Sequence, residues 1–110
     1  MTDEQWIELG KRAVACKGWR WMPGMLTDFG ERVTHPDIRY IGTLPDLTDP
    51  ATIGCLLALV REAWGEPVGC IDYNGEDWEF YKRVGERVWK CVAAGPTEAA
   101  ALVAALEAAP

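Results

Sequence analysis

The chain has 110 residues, 49% of them in the apolar and aromatic set and 25% charged, with 11 Lys and Arg against 17 Asp and Glu for a formal net charge of -6. That suits one domain burying about two-thirds of its unfolded surface without metal or disulfide; it is too apolar for disorder, and its acidity opposes general binding to DNA or RNA. No run approaches the roughly 18 apolar residues of a membrane span, and the acidic start Met1-Thr2-Asp3-Glu4 is not a signal peptide, so a cytoplasmic protein with no membrane partner is expected.

Thr2-Asp3-Glu4-Gln5 has the form of a capping box. It predicts a helix whose apolar stripe is Trp6, Leu9, Ala13 and Cys16, widened by Ile7 and Val14 and stopped at Gly18. From Trp19 to Tyr40 the pattern shortens. Trp19-Arg20-Trp21-Met22 reads as a strand, Pro23-Gly24 as a turn and Ile38 to Ile41 as a second extended stretch, together an irregular hairpin. Asp49 as cap, Pro50 at the first position, and Gly65 with Pro67 beyond the end predict a helix over about 50 to 64. Ile53, Leu56, Leu57, Val60 and Trp64 form one face, yet Cys55, Ala58, Leu59 and Ala63 leave little polar surface. Such a helix is expected to be covered on both sides, by a sheet and another helix or by a second subunit.

Val68 to Tyr73, Asn74-Gly75 and Trp78 to Lys82 read as a hairpin whose loop exceeds two residues, because a two-residue turn would set Asp72 against Asp77. After Gly85, the alternation of Arg87 to Ala93 adds a third strand, and Gly95-Pro96-Thr97 opens an alanine-rich helix through Ala108. The expected fold is one small α+β domain over 1–110, with an antiparallel sheet (the irregular hairpin plus a three-stranded meander) packed against about three helices. The two over-apolar helices also predict a homo-oligomer.

Cys16, Cys55, Cys70 and Cys91 stand 39, 15 and 21 positions apart without a C-x-x-C pair, and His35 is the sole histidine. This argues against zinc and for four reduced, buried core thiols. The chain has no serine, so a Ser-His-Asp site is excluded. A cysteine or aspartate acting with His35 is the enzymatic arrangement left, a minor alternative to a non-catalytic protein; no catalytic residue, metal or cofactor is expected.

Residues 11 to 22 hold Lys11, Arg12, Lys17 and Arg20 with no acid, whereas residues 23 to 81 hold 11 acids against three arginines. Within the cationic strip, Trp19 and Trp21 offer flat aromatic faces beside charges that hold phosphate or carboxylate, and Gly18 and Gly24 allow close backbone approach. Lys17, Trp19, Arg20 and Trp21, with Arg39 and Tyr40 further on, are therefore the candidate ligand-binding residues, for a nucleotide-like anion. A strand here would equally bury both tryptophans and leave Arg20 in solvent. Lys82, Arg83, Arg87 and Lys90, with Glu86 the only acid among them, form a second cationic group. Asp46 and Asp49 form a carboxylate pair suited to acid–base or metal chemistry, with capping by Asp49 the simpler role. Asp72, Asn74, Glu76 and Asp77 lack the spacing of a calcium loop and read as a polar hairpin tip. Arg32 and His35 are further candidates to line a pocket with Arg39 and Tyr40.

The segments Lys17-Gly18-Trp19-Arg20-Trp21-Met22-Pro23-Gly24-Met25, Leu44-Pro45-Asp46-Leu47 with Asp49-Pro50-Ala51-Thr52, and Thr97 to Glu107 together resemble small uncharacterised proteins of tailed phages and prophages. The resemblance implies a phage accessory protein in the host cytoplasm that acts without catalysis. Two functions follow as expectations. One is a binding module that sequesters a nucleotide-like small molecule, such as a host defence signal; the other is an inhibitor that presents its acidic surface to a basic host protein.

Overall fold

Three helices and three strands follow in the order α1 (Asp3–Ala15), α2 (Pro50–Trp64), β1 (Cys70–Tyr73), β2 (Trp78–Gly85), β3 (Val88–Gly95) and α3 (Glu98–Ala108), in a computed structural model that describes residues 1–35, 40 and 43–110. The strands pair in chain order, antiparallel throughout, as an open three-stranded meander. This is the expected single α+β domain, without the Trp19–Met22 strand of its irregular hairpin among the described residues. Among the described residues, no helix is long and apolar enough to cross a membrane.

α1 starts where its capping box predicts: Thr2 Oγ1 accepts from the Gln5 N–H, and the Gln5 side chain accepts from the Thr2 N–H. It ends with Cys16 as its cap, short of Gly18, and Ile7 is 49% exposed instead of widening the buried stripe. α2 has Asp49 as cap, Pro50 in its first turn and Gly65 in the left-handed region (φ 62°) at its end. Side-chain bonds bolt it to the preceding loop. The fully buried Thr52 hydroxyl donates to Asp49 at 3.0 Å and accepts from the Leu26 N–H at 2.9 Å. Arg32 Nη1 donates to Asp49 at 2.7 Å and to the Gly24 carbonyl at 2.9 Å.

The strand expected at Trp19–Met22 does not form. The chain turns just before it, where the Trp19 N–H donates to the Cys16 carbonyl, and just after it, where the Met25 N–H donates to the Met22 carbonyl. The β structure of this region, among the described residues, is the isolated bridges Leu26–Arg32 and Thr27–Pro45. Of the stretch Ile38 to Ile41, only Tyr40 lies within the described residues.

α3, capped by Thr97, is the centre of the domain: seven of its eleven residues are buried. The sheet, chiefly β3, packs on it, and so do α2 and α1. Alanine keeps these layers close. At Gly95 the strand approaches α3 so tightly that a Cβ would lie 2.8 Å from Ala101 N and 2.9 Å from Ala100 C and Cβ. Leu56, Leu59 and Val60 of α2 and Leu102, Val103 and Leu106 of α3 are at most 3% exposed, each burial contributing about 1.5–3 kcal/mol. One copy covers this face of α2, while Gly54 and Ala58 on its other side stay exposed and Cys55 and Ala63 half-buried. Trp64 donates its indole N–H to the Ala105 carbonyl (2.8 Å) and Arg61 its Nε–H to the Gly69 carbonyl (2.7 Å), tying α2 to α3 and to the entry of β1.

Phe80, fully buried, and the Ile71 and Ala93 opposite it form part of the core. Tyr81 and Arg83, with their partners Cys91 and Trp89, alternate onto the other face of the sheet. β1 starts at Cys70, two residues later than the sequence pattern suggests. The β1–β2 loop, residues 74–77, is longer than two residues as expected, with Asn74 Oδ1 accepting from the Glu76 and Asp77 N–H groups at 2.8 Å. That length takes Asp72 away from Asp77 but sets it opposite Glu79. The nearby Cys91, Asn74 and Tyr81 side chains, of which Asn74 Nδ2 donates to Glu79 Oε1 at 2.6 Å, hold the Glu79 carboxyl below the usual carboxylate range.

Candidate functional site

The candidate residues follow the end of α1. The backbone reaches Ala63 of α2 and Leu106 of α3 at Gly18, where a Cβ would lie 3.0 Å from Leu106 Cδ1 and 3.3 Å from Ala63 Cβ. Glycine serves here for room, not as the predicted helix stop. Beyond it, Trp19 and Trp21 meet edge to face (centroids 5.4 Å apart, planes at 82°), and Tyr40 closes on Trp21 (5.2 Å, 49°). Three rings from two separate stretches thus make one row. All three are half-buried and pack against the core, so the tryptophans are neither sealed inside nor free. The Trp19 Nε1–H is buried and has no hydrogen-bond partner among the described residues, a situation that costs about 1–3 kcal/mol.

The charges are less free than the sequence suggests. Arg20 Nη1 lies 2.7 Å from Glu62 Oε2 of α2, and Arg12 grips Glu107 of α3 through two nitrogens. The Arg12 hydrogen bond holds the Glu107 carboxyl below its ordinary range, and Glu107 in turn raises the Arg12 guanidinium. Lys17 is exposed and takes no part in the ion pairs among the described residues. The Arg20 and Glu62 side chains are 53% and 61% exposed; a pair so open contributes about 0–1 kcal/mol and is readily exchanged. Lys17, Gly18, Trp19 and Arg20, with Leu59, Glu62 and Ala63, line a groove of ≈ 340 Å³, within the roughly 300–1,000 Å³ of small-molecule sites. Five of the six expected residues are therefore neighbours: Lys17, Trp19 and Arg20 at the groove, Trp21 and Tyr40 along the aromatic row. Arg39 lies outside the described residues.

The other candidate groups serve the fold. Asp49 caps α2, and its hydrogen bonds from Arg32, then from Thr52, hold its carboxyl below the usual range. Asp46 Oδ1 accepts from the Thr48 N–H and hydroxyl at 3.0 and 2.6 Å. Each carboxylate thus has its own structural partners. Arg32 is committed to Gly24 and Asp49, while His35 is exposed. Among the described residues, no three His, Cys, Asp or Glu side chains gather as a metal set. All four cysteines are free and half-buried, not buried as expected. Burial still pushes the Cys16, Cys55 and Cys91 thiols up. Glu62 is the groove residue that sequence reasoning misses; only tertiary packing sets the end of α2 beside Arg20. Set against known proteins, the chain matches no family model, no curated protein and no solved structure, so the phage resemblance rests on its quoted segments alone.

Proposed function

We propose that the protein is a non-catalytic binding module that captures a planar, anionic small molecule of the nucleotide class beside the Trp19–Trp21–Tyr40 row. The observation that carries this reading is the juxtaposition of that row with the Lys17–Arg20 groove, which offers ring surface for a base and two cations for phosphate. Glu62 opposes an anion, so Arg20 exchanges it for phosphate on binding; the pair is too exposed to resist. On the phage resemblance, the ligand is a host signal and capture its removal.

Magnitudes narrow the ligand. One stacked base contributes about 1–3 kcal/mol and one hydrogen bond to a charged group about 1.5–3 kcal/mol. Together they fall short of the roughly 8 kcal/mol of a micromolar Kd. A dinucleotide, with two bases and two phosphates, therefore binds tighter than a mononucleotide. The test is a tryptophan-fluorescence titration with cyclic and linear dinucleotides and mononucleotides. Quenching in that order of affinity, weakened at least tenfold in Arg20→Ala, supports the reading; unchanged emission across the panel refutes it.

A further inference from the structure

We infer that copies of this chain associate head to tail, the β2–β3 hairpin tip of one copy seated in an acid-lined apolar cleft of the next. The tip departs from an ordinary solvated turn in three respects. Val84, Val88 and Trp89 are 52%, 53% and 43% exposed, an unusual load of large apolar side chains on one turn. Arg83, Arg87 and Lys90 surround them, outnumbering Glu86 at the turn, all exposed and outside the ion pairs among the described residues. Arg87 also holds a left-handed backbone (φ 60°) at the turn, a strain that ordinary turn chemistry avoids with glycine or asparagine.

The cleft is its complement. Trp6 and Ile7 of α1 and Leu44, Pro45 and Leu47 form apolar walls, and the acids Asp28 and Asp46 line the same cleft. Ile7 is 49% exposed, and Phe29, next to Asp28, is 82% exposed. Asp3, Glu4 and Glu8 on exposed positions of α1 add negative charge on either side of Trp6 and Ile7, against the single cation Lys11 one turn beyond Ile7. At ≈ 210 Å³ the cleft is smaller than the roughly 300 Å³ at which small-molecule sites begin; it suits the insertion of a side chain or two. Apolar groups ringed by cations and apolar walls joined by carboxylates form a matched pair. Because both lie on one chain and differ from each other, a second copy is the occupant, and the contact is heterologous, leading to rings or open chains instead of a closed isologous dimer.

Two variants at exposed positions test this. Ile7→Lys disables the cleft and Trp89→Glu disables the tip, each checked for folding by circular dichroism. In sedimentation velocity, the wild type is expected to grow in mean mass with concentration and to lose that growth in high salt. Each variant alone should sediment as a monomer, while an equimolar mixture forms a 1:1 pair and nothing larger, since one intact tip meets one intact cleft. A wild type that stays monomeric into the high-micromolar range overturns the proposal, even if the cleft then binds a foreign basic protein. So does assembly by either variant alone, or a mixture that remains monomeric.

Discussion

The same methyl group, added at two glycines, should move stability in opposite directions. At Gly95 the new Cβ would lie 2.8–2.9 Å from the backbone and Cβ of Ala100 and Ala101 in the first turn of α3. Real Cβ contacts below 3.0 Å essentially do not occur, and the atoms in the way are mostly main chain, so no side chain can swing aside. β3 must retreat from α3, loosening the contact on which the buried Leu102 and Val103 depend; overpacking of this kind costs about 1–3 kcal/mol and sometimes more. For a domain near 100 residues that lowers Tm by roughly 4–15 °C. At Gly54, exposed in the middle of α2, a Cβ meets nothing within 4 Å, and Gly54→Ala should stabilise by about 0.5–1 kcal/mol through helix propensity alone. Urea denaturation of both variants, with matched m-values, decides it. If Gly95→Ala falls within about 0.5 kcal/mol of the parent, the close β3–α3 packing described here is wrong.

Thr52→Val keeps the shape of a fully buried side chain but leaves the Leu26 N–H unpaired, so a loss of about 1–3 kcal/mol in chemical denaturation is expected; an unchanged midpoint refutes the bolt between α2 and the loop. Arg87→Gly relieves a left-handed backbone that costs an L-residue about 1–2 kcal/mol, less glycine's entropy cost of about 0.5–1 kcal/mol, so a Tm equal to or above the parent is expected. Asp49, Glu79 and Glu107 have folded pKa values below their ordinary ones. Their contribution is complete above the unfolded values near pH 4 and is lost as pH falls through the folded values, so thermal stability should drop below about pH 4. Cys16, Cys55 and Cys91 are shifted up; stability is retained below the unfolded thiol value near 8.5 and declines as pH rises beyond it through the folded values. Replacing these three by alanine should flatten the alkaline limb.

Helix ends were legible because their chemistry is local. Thr2 with Gln5, Asp49 with Pro50, and Thr97 each act within three residues of where the chain turns helical. The meander was legible from its alternation and turn residues. The strand at Trp19–Met22 was misread because an extended stretch becomes a strand only with a partner, and here the aromatic rings pack on one another and on Tyr40 instead. For a related cause the apolar α2 did not disclose its neighbours: composition states that a helix face is covered, not by what, and α3 covers one face while Gly54 and Ala58 on the other stay exposed. At the candidate site, the residue types and the cationic strip were visible, but the pairing of Arg20 with Glu62, 42 positions away, was not. Nor was the cleft lined by Trp6, Ile7 and Asp46, which the fold assembles from α1 and a loop some 40 positions further on.

Site-resolved NMR of the indole N–H groups offers the most direct trial of ligand capture. The chain has six tryptophans and therefore six such signals, assignable by single Trp→Phe replacements. On titration with a cyclic dinucleotide, the Trp19 and Trp21 signals should move in a saturable way while Trp64, tied to the Ala105 carbonyl, and Trp89, on β3 and outside the groove lining, stay fixed. Saturable shifts confined to other tryptophans, or none at ligand concentrations well above micromolar, would contradict the account.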